Sequence, residues 1–143
     1  MKSVLLLNGP NLNLLGSREP EIYGTTTLPE LEAMVVEWGR GLGIAVASFQ
    51  SNHEGALLDR IHQAAGEVDG LVINAGALTH YSYALYDALV AVGLPTVEVH
   101  ISDIHAREEW RQKSVIQPAC LAQITGEGLD GYRRALEILS ESA

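Results

Sequence analysis

Along the chain, short apolar runs alternate with longer stretches in which apolar residues recur every three or four positions. The short runs have the length of strands and the long ones carry the helical period, so the order reads as βαβ units around a parallel sheet. Five strands are predicted: Val4 to Leu7, Ile44 to Phe49, Gly70 to Ile73, Thr96 to Val99 and Cys120 to Thr125. The first is apolar at every position, as in a strand buried on both faces. A helix is predicted over Leu28 to Leu42, with Leu28, Leu31, Val35 and Trp38 on one stripe and Glu30, Glu32 and Glu37 between them. The same period predicts helices over Ala56 to Ala65, Tyr81 to Val92 and Leu129 to Leu139. Gly43, Gly66, Gly70, and Gly93 with Pro95, punctuate the joints between helices and strands.

Strands joined by helical crossovers place helices on both faces of the sheet. The prediction is a single α/β domain over residues 1–143, a flavodoxin-like three-layer sandwich with a five-stranded parallel sheet. Ligands of such sheets bind outside the carboxyl ends of the strands, so the segments after each strand are where function is expected.

Composition narrows the class. The chain is 47% hydrophobic and 19% charged, which supports a folded core and argues against disorder. A formal charge of −9 opposes binding to nucleic acid or to an anionic membrane, and no apolar run reaches the roughly 18 residues of a membrane span. With Cys120 the only cysteine, an intrachain disulfide is impossible and a structural zinc lacks its thiolates, so a cytoplasmic protein is expected. An anionic substrate of this acidic chain must be held by a few placed donors.

The segment after the first strand, Asn8 to Thr25, is unusually long and carries Leu12, Leu14, Leu15 and Ile22. It reads as a closing lid with Gly16 and Gly24 as hinges, the alternative being an Ω-loop packed for stability. Gln50-Ser51-Asn52-His53-Glu54-Gly55, after the second strand, reads as the cap and first turn of the next helix. After the third, Asn74 and His80 suit a turn as well as a ligand contact, and Thr79 is placed to cap the following helix. In the fourth strand Glu98 and His100 alternate with Val97, Val99 and Ile101 and share one face. A carboxylate beside an imidazole there holds the ring in one tautomer and prepares it as a general acid; the alternative is a satisfied core histidine. A polar segment with Ser102, Arg107, Arg111 and Lys113 follows. Gly126-Glu127-Gly128-Leu129-Asp130-Gly131 spells G-x-G-x-x-G, but it follows the last strand with twelve residues left, so tight turning and helix packing explain it better than a dinucleotide.

No G-x-S-x-G elbow is present, Cys120 lies in a predicted strand, and Lys2 and Lys113 are poorly placed for a buried Schiff base. The five histidines form no HExxH-type pair, so no metal is expected. What remains is a lid tyrosine, an arginine five residues away, amide groups and a paired histidine, a set suited to proton abstraction and acid-assisted departure. A guanidinium close to a tyrosine favours the phenolate, which is the form able to act as base.

Asn8 to Gly16, Arg18-Glu19-Pro20, Tyr23-Gly24, Asn74-Ala75-Gly76, Thr79-His80, Glu98 to Ser102 and His105 to Glu109 together resemble, in order, the motifs of the type II 3-dehydroquinate dehydratases. The resemblance spans nearly the whole chain. It implies a flavodoxin-like homododecamer that converts 3-dehydroquinate to 3-dehydroshikimate, in the shikimate pathway, without a cofactor. By that resemblance Tyr23 is the base, Arg18 supports its ionised form, Asn11 helps stabilise the enolate, and His100, oriented by Glu98, protonates the departing hydroxyl. Asn74, His80, Arg111 and the backbone at Ile101 and Ser102 are implied to hold substrate, and Asp87 to reach a neighbouring subunit's site. Tyr86, Asp103 and the run Gln112-Lys113-Ser114-Val115 depart from the family pattern. A flavin-bearing electron carrier and a receiver-like binding module are the other classes compatible with the fold. The first lacks a Ser/Thr-rich phosphate loop and the second an acidic cluster at the strand ends.

Overall fold

The computed structural model describes residues 1–142. The chain runs β1 (Ser3–Asn8), α1 (Pro20–Tyr23), α2 (Leu28–Gly41), β2 (Ala45–Gln50), α3 (Glu54–Ala64), β3 (Gly70–Asn74), α4 (Tyr83–Val92), β4 (Thr96–His100), β5 (Ala122–Thr125) and α5 (Asp130–Glu141). All four strand pairings are parallel, in the order β2-β1-β3-β4-β5. The order reverses at β1, which has β2 on one side and β3 on the other, and the crevice for a ligand opens above that pair.

Alternation along the strands divides the core in two. Val4 and Leu6 of β1 pack with Leu31 and Val35 of α2 and with Tyr132, Leu136 and Leu139 of α5. Leu5 and Leu7 face the other way, onto Leu57 and Ile61 of α3 and Leu85 and Leu89 of α4. Two helices therefore cover each face, the expected sandwich. Each such aliphatic side chain, fully withdrawn from water, contributes about 1.5–3 kcal/mol.

Local signals explain the helix ends. Thr27 accepts from the Glu30 backbone N–H at 3.3 Å while Glu30 Oε1 accepts from the Thr27 N–H at 2.9 Å, a reciprocal cap that starts α2. The cap of α4 is Ser82, whose hydroxyl accepts from Leu85 N, and not Thr79, whose hydroxyl is buried without a partner among the described residues. The expected turn before it is a 3-10 helix over Gly76–His80, which delays α4 by two residues relative to the sequence period. The fifth strand begins at Ala122, two residues later than the sequence predicts, because the chain before it forms another 3-10 turn over Gln117–Ala119 that ends with Cys120 as its C-cap. The long segment after β1 is ordered by its own short elements, a 3-10 turn over Leu12–Leu14 and α1, with Leu12 and Leu15 buried. No helix among the described residues is long and apolar enough to cross a membrane.

Candidate active site

The loops after β1 and β3 lock against each other at the switch point. A Cβ on Gly9 would lie 2.6 Å from the Ala75 carbonyl oxygen, so only glycine fits where the two chains touch. Beyond it Asn11 adopts φ 70°, a left-handed conformation that asparagine tolerates better than most residues, and its N–H donates to Asn52 Oδ1 at 2.9 Å. Gln50 Nε2 donates to the Gly9 carbonyl at 3.2 Å. The segment after β2, read from the sequence as a helix cap, thus also buttresses the loop that carries Asn11. His53 stands at the helix cap but makes no side-chain capping bond.

At the end of β3, Asn74 Oδ1 accepts from the Gly76 N–H at 3.1 Å. His80 Nδ1 lies 2.7 Å from the Lys113 carbonyl oxygen. A carbonyl can only accept, so Nδ1 carries the hydrogen and Nε2 is left as an acceptor. Burial lowers the pKa of the His80 ring, and the nearby His100 and Arg111 act in the same direction against the Lys113 carbonyl. A neutral ring able to take a hydrogen bond from a ligand hydroxyl follows.

On β4, Glu98 is fully buried and His100 nearly so. Glu98 Oε2 accepts from His100 Nε2 and, at 3.1 Å, from Gln123 Nε2; its Oε1 accepts from the Ser114 hydroxyl at 3.0 Å. Three donors around one carboxyl suit a carboxylate, which offers only acceptors. His100 Nδ1 is the ring nitrogen left free of Glu98, and His100 lines the cleft. Such a pair fixes which nitrogen meets a ligand and sets a negative charge behind the ring when it is protonated.

The cleft is closed on the lid side by Tyr23 and two arginines. Arg107 Nη1 donates to the Tyr23 hydroxyl at 2.6 Å, while the Arg18 guanidinium carbon lies 4.8 Å from the ring centroid. Arg18 stands over the ring and Arg107 is the cation at the oxygen. Arg107 is itself held by Ser102 Oγ at 3.4 Å and lies 3.9 Å from Glu19 and 3.8 Å from Glu108. Arg111 also lines the cleft and donates to Glu108 at 2.7 Å.

Asn11, Arg18, Tyr23, Asn74, His80, His100, Ile101, Ser102 and Arg111 therefore meet in one cleft at the carboxyl edge of the sheet. Glu98 sits behind His100 rather than in the lining, and Asp87 is exposed on α4 and does not line the cleft. Three of the chain's seven arginines line it and no aspartate or glutamate does, in a protein of net charge −9. The arrangement is a local cationic cup that suits a small anion. Sequence reasoning singled out neither Arg107 as a partner of Tyr23 nor Asn52, Ser114 and Gln123 as supports, since these contacts join residues 16 to 84 positions apart.

Other features belong to the scaffold. Gly131 packs against Val99 and Ile124, a Cβ there approaching their side chains at 3.2 and 3.3 Å, and Gly126 turns against Asp103, so the G-x-G-x-x-G serves helix-to-sheet packing. Burial pushes the Cys120 thiol up to about 12, which keeps it protonated and unsuited to nucleophilic attack. Among the described residues no three His, Cys, Asp or Glu side chains gather in one place.

Comparison with known proteins bears on the chemistry. The family described as dehydroquinase class II matches residues 2–140. The 3-dehydroquinate dehydratase of Caldicellulosiruptor saccharolyticus is 54% identical over 99% of this chain and 98% of its own. Catabolic 3-dehydroquinase 1 of Neosartorya fischeri is 55% identical over 95% of this chain and 91% of its own. The crystal structure of the type II dehydroquinase from Propionibacterium acnes superposes with a TM-score of 0.95 at 48% identity, covering 99% of this chain and 97% of that one. A 3-dehydroquinate dehydratase-like protein from Bifidobacterium longum superposes with a TM-score of 0.75 at 37% identity, covering 99% of this chain and 98% of that one. With its sheet order, its cationic cleft and a family match over almost its full length, the chain belongs to the class II dehydroquinases.

Proposed function

We propose that the protein is a hydro-lyase that dehydrates 3-dehydroquinate to 3-dehydroshikimate through an enolate, a step of aromatic biosynthesis by the shikimate route. The observation that carries the reading is the facing equipment of one cleft: a tyrosine hydroxyl bonded to Arg107 on the lid side, and the Glu98-backed His100 on the sheet side. Tyr23, as phenolate, removes a proton from C2 next to the ketone. The electron pair moves into the carbonyl, and the developing enolate oxygen is stabilised by Asn11. His100 then delivers a proton to the C1 hydroxyl as it leaves as water, the enolate collapses to the conjugated enone, and the proton held by Tyr23 is returned to solvent or to His100. Asn74, His80, Arg111 and the backbone at Ile101 and Ser102 bind the carboxylate and hydroxyls. Preorganised donors of this kind act where charge develops and need no reorganisation at the moment of reaction.

The decisive test adds 3-dehydroquinate to purified protein and follows the ultraviolet absorbance of the enone product, which the substrate lacks. A flat trace with correctly folded protein rules the reading out. Because the route runs through an enolate and not an imine, activity is expected to survive chelator, and borohydride plus substrate is expected to leave the protein mass unchanged. Substrate mass fixed to the protein by borohydride would instead indicate a Schiff base.

The cytoplasm, as a reducing compartment, suits a lone, half-buried Cys120 whose thiol is held protonated. We further propose a homododecamer in which Asp87 reaches the cleft of a neighbouring subunit. Its support is the exposure of Asp87 on α4 beside Tyr83 and Val90, 62% and 53% exposed at helical spacing, with Tyr81, 61% exposed, just before the helix. Light scattering is expected to give a mass many times that of one chain, and an active monomer at assay concentration would remove Asp87 from the site.

A further inference from the structure

Tyr132 is fully buried on α5, a helix that contributes nothing to the lining of the cleft. Its hydroxyl nonetheless reaches the carboxyl ends of two strands. Asn74 Nδ2 donates to it at 2.9 Å and it donates to Asn8 Oδ1 at 2.8 Å. Asn8 and Asn74 are register partners, the last residues of β1 and β3, so the trio sits directly beneath the switch point.

Counting hydrogens shows what the contact does. Burial holds the Tyr132 phenol well above its ordinary range, so it remains a hydroxyl with one hydrogen, and that hydrogen goes to Asn8. It can then meet Asn74 only as an acceptor, which requires an N–H from Asn74. On the other side the Gly76 N–H requires an acceptor, which is Asn74 Oδ1. The two neighbours agree on one orientation of the amide, and a flipped amide would set N–H against N–H at Gly76. The second hydrogen of Asn74 Nδ2 has no protein partner among the described residues, and Asn74 lines the cleft. Asn8 Nδ2 is likewise buried without a partner among the described residues. An unpaired buried donor costs about 1–3 kcal/mol, so the trio is a poor way to add stability and a good way to fix a direction.

We infer that Tyr132 is a positioning residue which, through its hydroxyl, holds the Asn74 amide with an N–H turned to the cleft, making Asn74 a donor to an oxygen acceptor of the substrate. The inference deepens the proposed function and rests on it, since the ligand tested is 3-dehydroquinate.

The test compares steady-state kinetics of Tyr132→Phe, Asn74→Ala, their combination and Asn74→Asp. Tyr132→Phe keeps the ring in the core and removes only the oxygen. KM is expected to rise about tenfold with kcat within a few-fold, the equivalent of one hydrogen bond to substrate. The double variant is expected to match Asn74→Ala alone, because residues acting through one contact are not additive. A purely structural Tyr132 would lower Tm, leave KM unchanged and add independently to Asn74→Ala, and that pattern overturns the inference. Asn74→Asp replaces the donor by an acceptor in the same shape, and KM no higher than in the unaltered protein would equally overturn it. That variant decides the question by itself if Tyr132→Phe does not fold. An unaltered protein inert to 3-dehydroquinate overturns the functional reading, whereas an active one with additive variants overturns only the role of Tyr132.

Discussion

Tyr23→Phe is expected to lower kcat by about 10⁴-fold, the upper end of what a positioned general base contributes, while substrate still binds. The ring keeps its contact with the Arg18 guanidinium, so the segment after β1 keeps its packing, and only the oxygen that accepts the C2 proton is lost. The same geometry ranks the two arginines. Arg107 meets the oxygen at 2.6 Å and stabilises the phenolate directly, whereas Arg18 lies over the ring. Arg107→Ala is therefore expected to reduce kcat more than Arg18→Ala. Arg107→Lys should recover part of the rate, because charge returns without the planar fork that also reaches Ser102. Isothermal titration with substrate alongside turnover separates the effects. Near-normal kcat in Tyr23→Phe would make the tyrosine a packing residue of the lid and sink its role as base.

His100→Ala is expected to lower kcat by about 10² to 10⁴, the usual contribution of a general acid, with the fold intact. Its carboxylate partner predicts a graded series. In Glu98→Gln the amide oxygen can keep the place that receives His100 Nε2 and Gln123, with the amide nitrogen turned to Ser114, whose hydroxyl can rotate to accept. A loss of about tenfold is expected, some 1.4 kcal/mol of barrier. Glu98→Ala removes the acceptor from His100, Gln123 and Ser114 together and should approach the loss seen for His100→Ala. Pre-steady-state measurement of enolate accumulation distinguishes the steps, since a defect in the acid leaves proton abstraction fast. A His100→Ala variant with near-normal turnover would return His100 to the status of a satisfied core histidine.

Much of this site could be read from linear sequence because strand period and strand ends are local properties. Glu98 and His100 were legible as a pair since residues two apart on a strand share a face whatever packs around them. The long segment after β1 was legible as an ordered one from Leu12 and Leu15, which are buried as their apolar character requires. Thr79 as a helix cap was a local reading that failed. Ser82 offers the same chemistry three residues later, and because Thr79 lies inside the 3-10 helix Gly76–His80 it is Ser82 whose hydroxyl meets the first turn.

What the sequence determined by itself was the five strands and the four long helices, the alternation that sends Leu5 and Leu7 to one face and Val4 and Leu6 to the other, and the carboxyl edge as the place to look for a site. Each depends on periods of two or 3.6 residues, which a few neighbouring positions suffice to define. The tertiary structure alone decided the strand order β2-β1-β3-β4-β5 and, with it, which distant side chains meet. Tyr23 and Arg107 are 84 residues apart and Asn8 and Tyr132 124 apart, and nothing in either neighbourhood specifies the other. Their contacts are set when the sheet stacks its strand ends side by side and the helices close over both faces, so the direction of a hydrogen bond such as that from Asn74 to Tyr132 exists only in the folded chain.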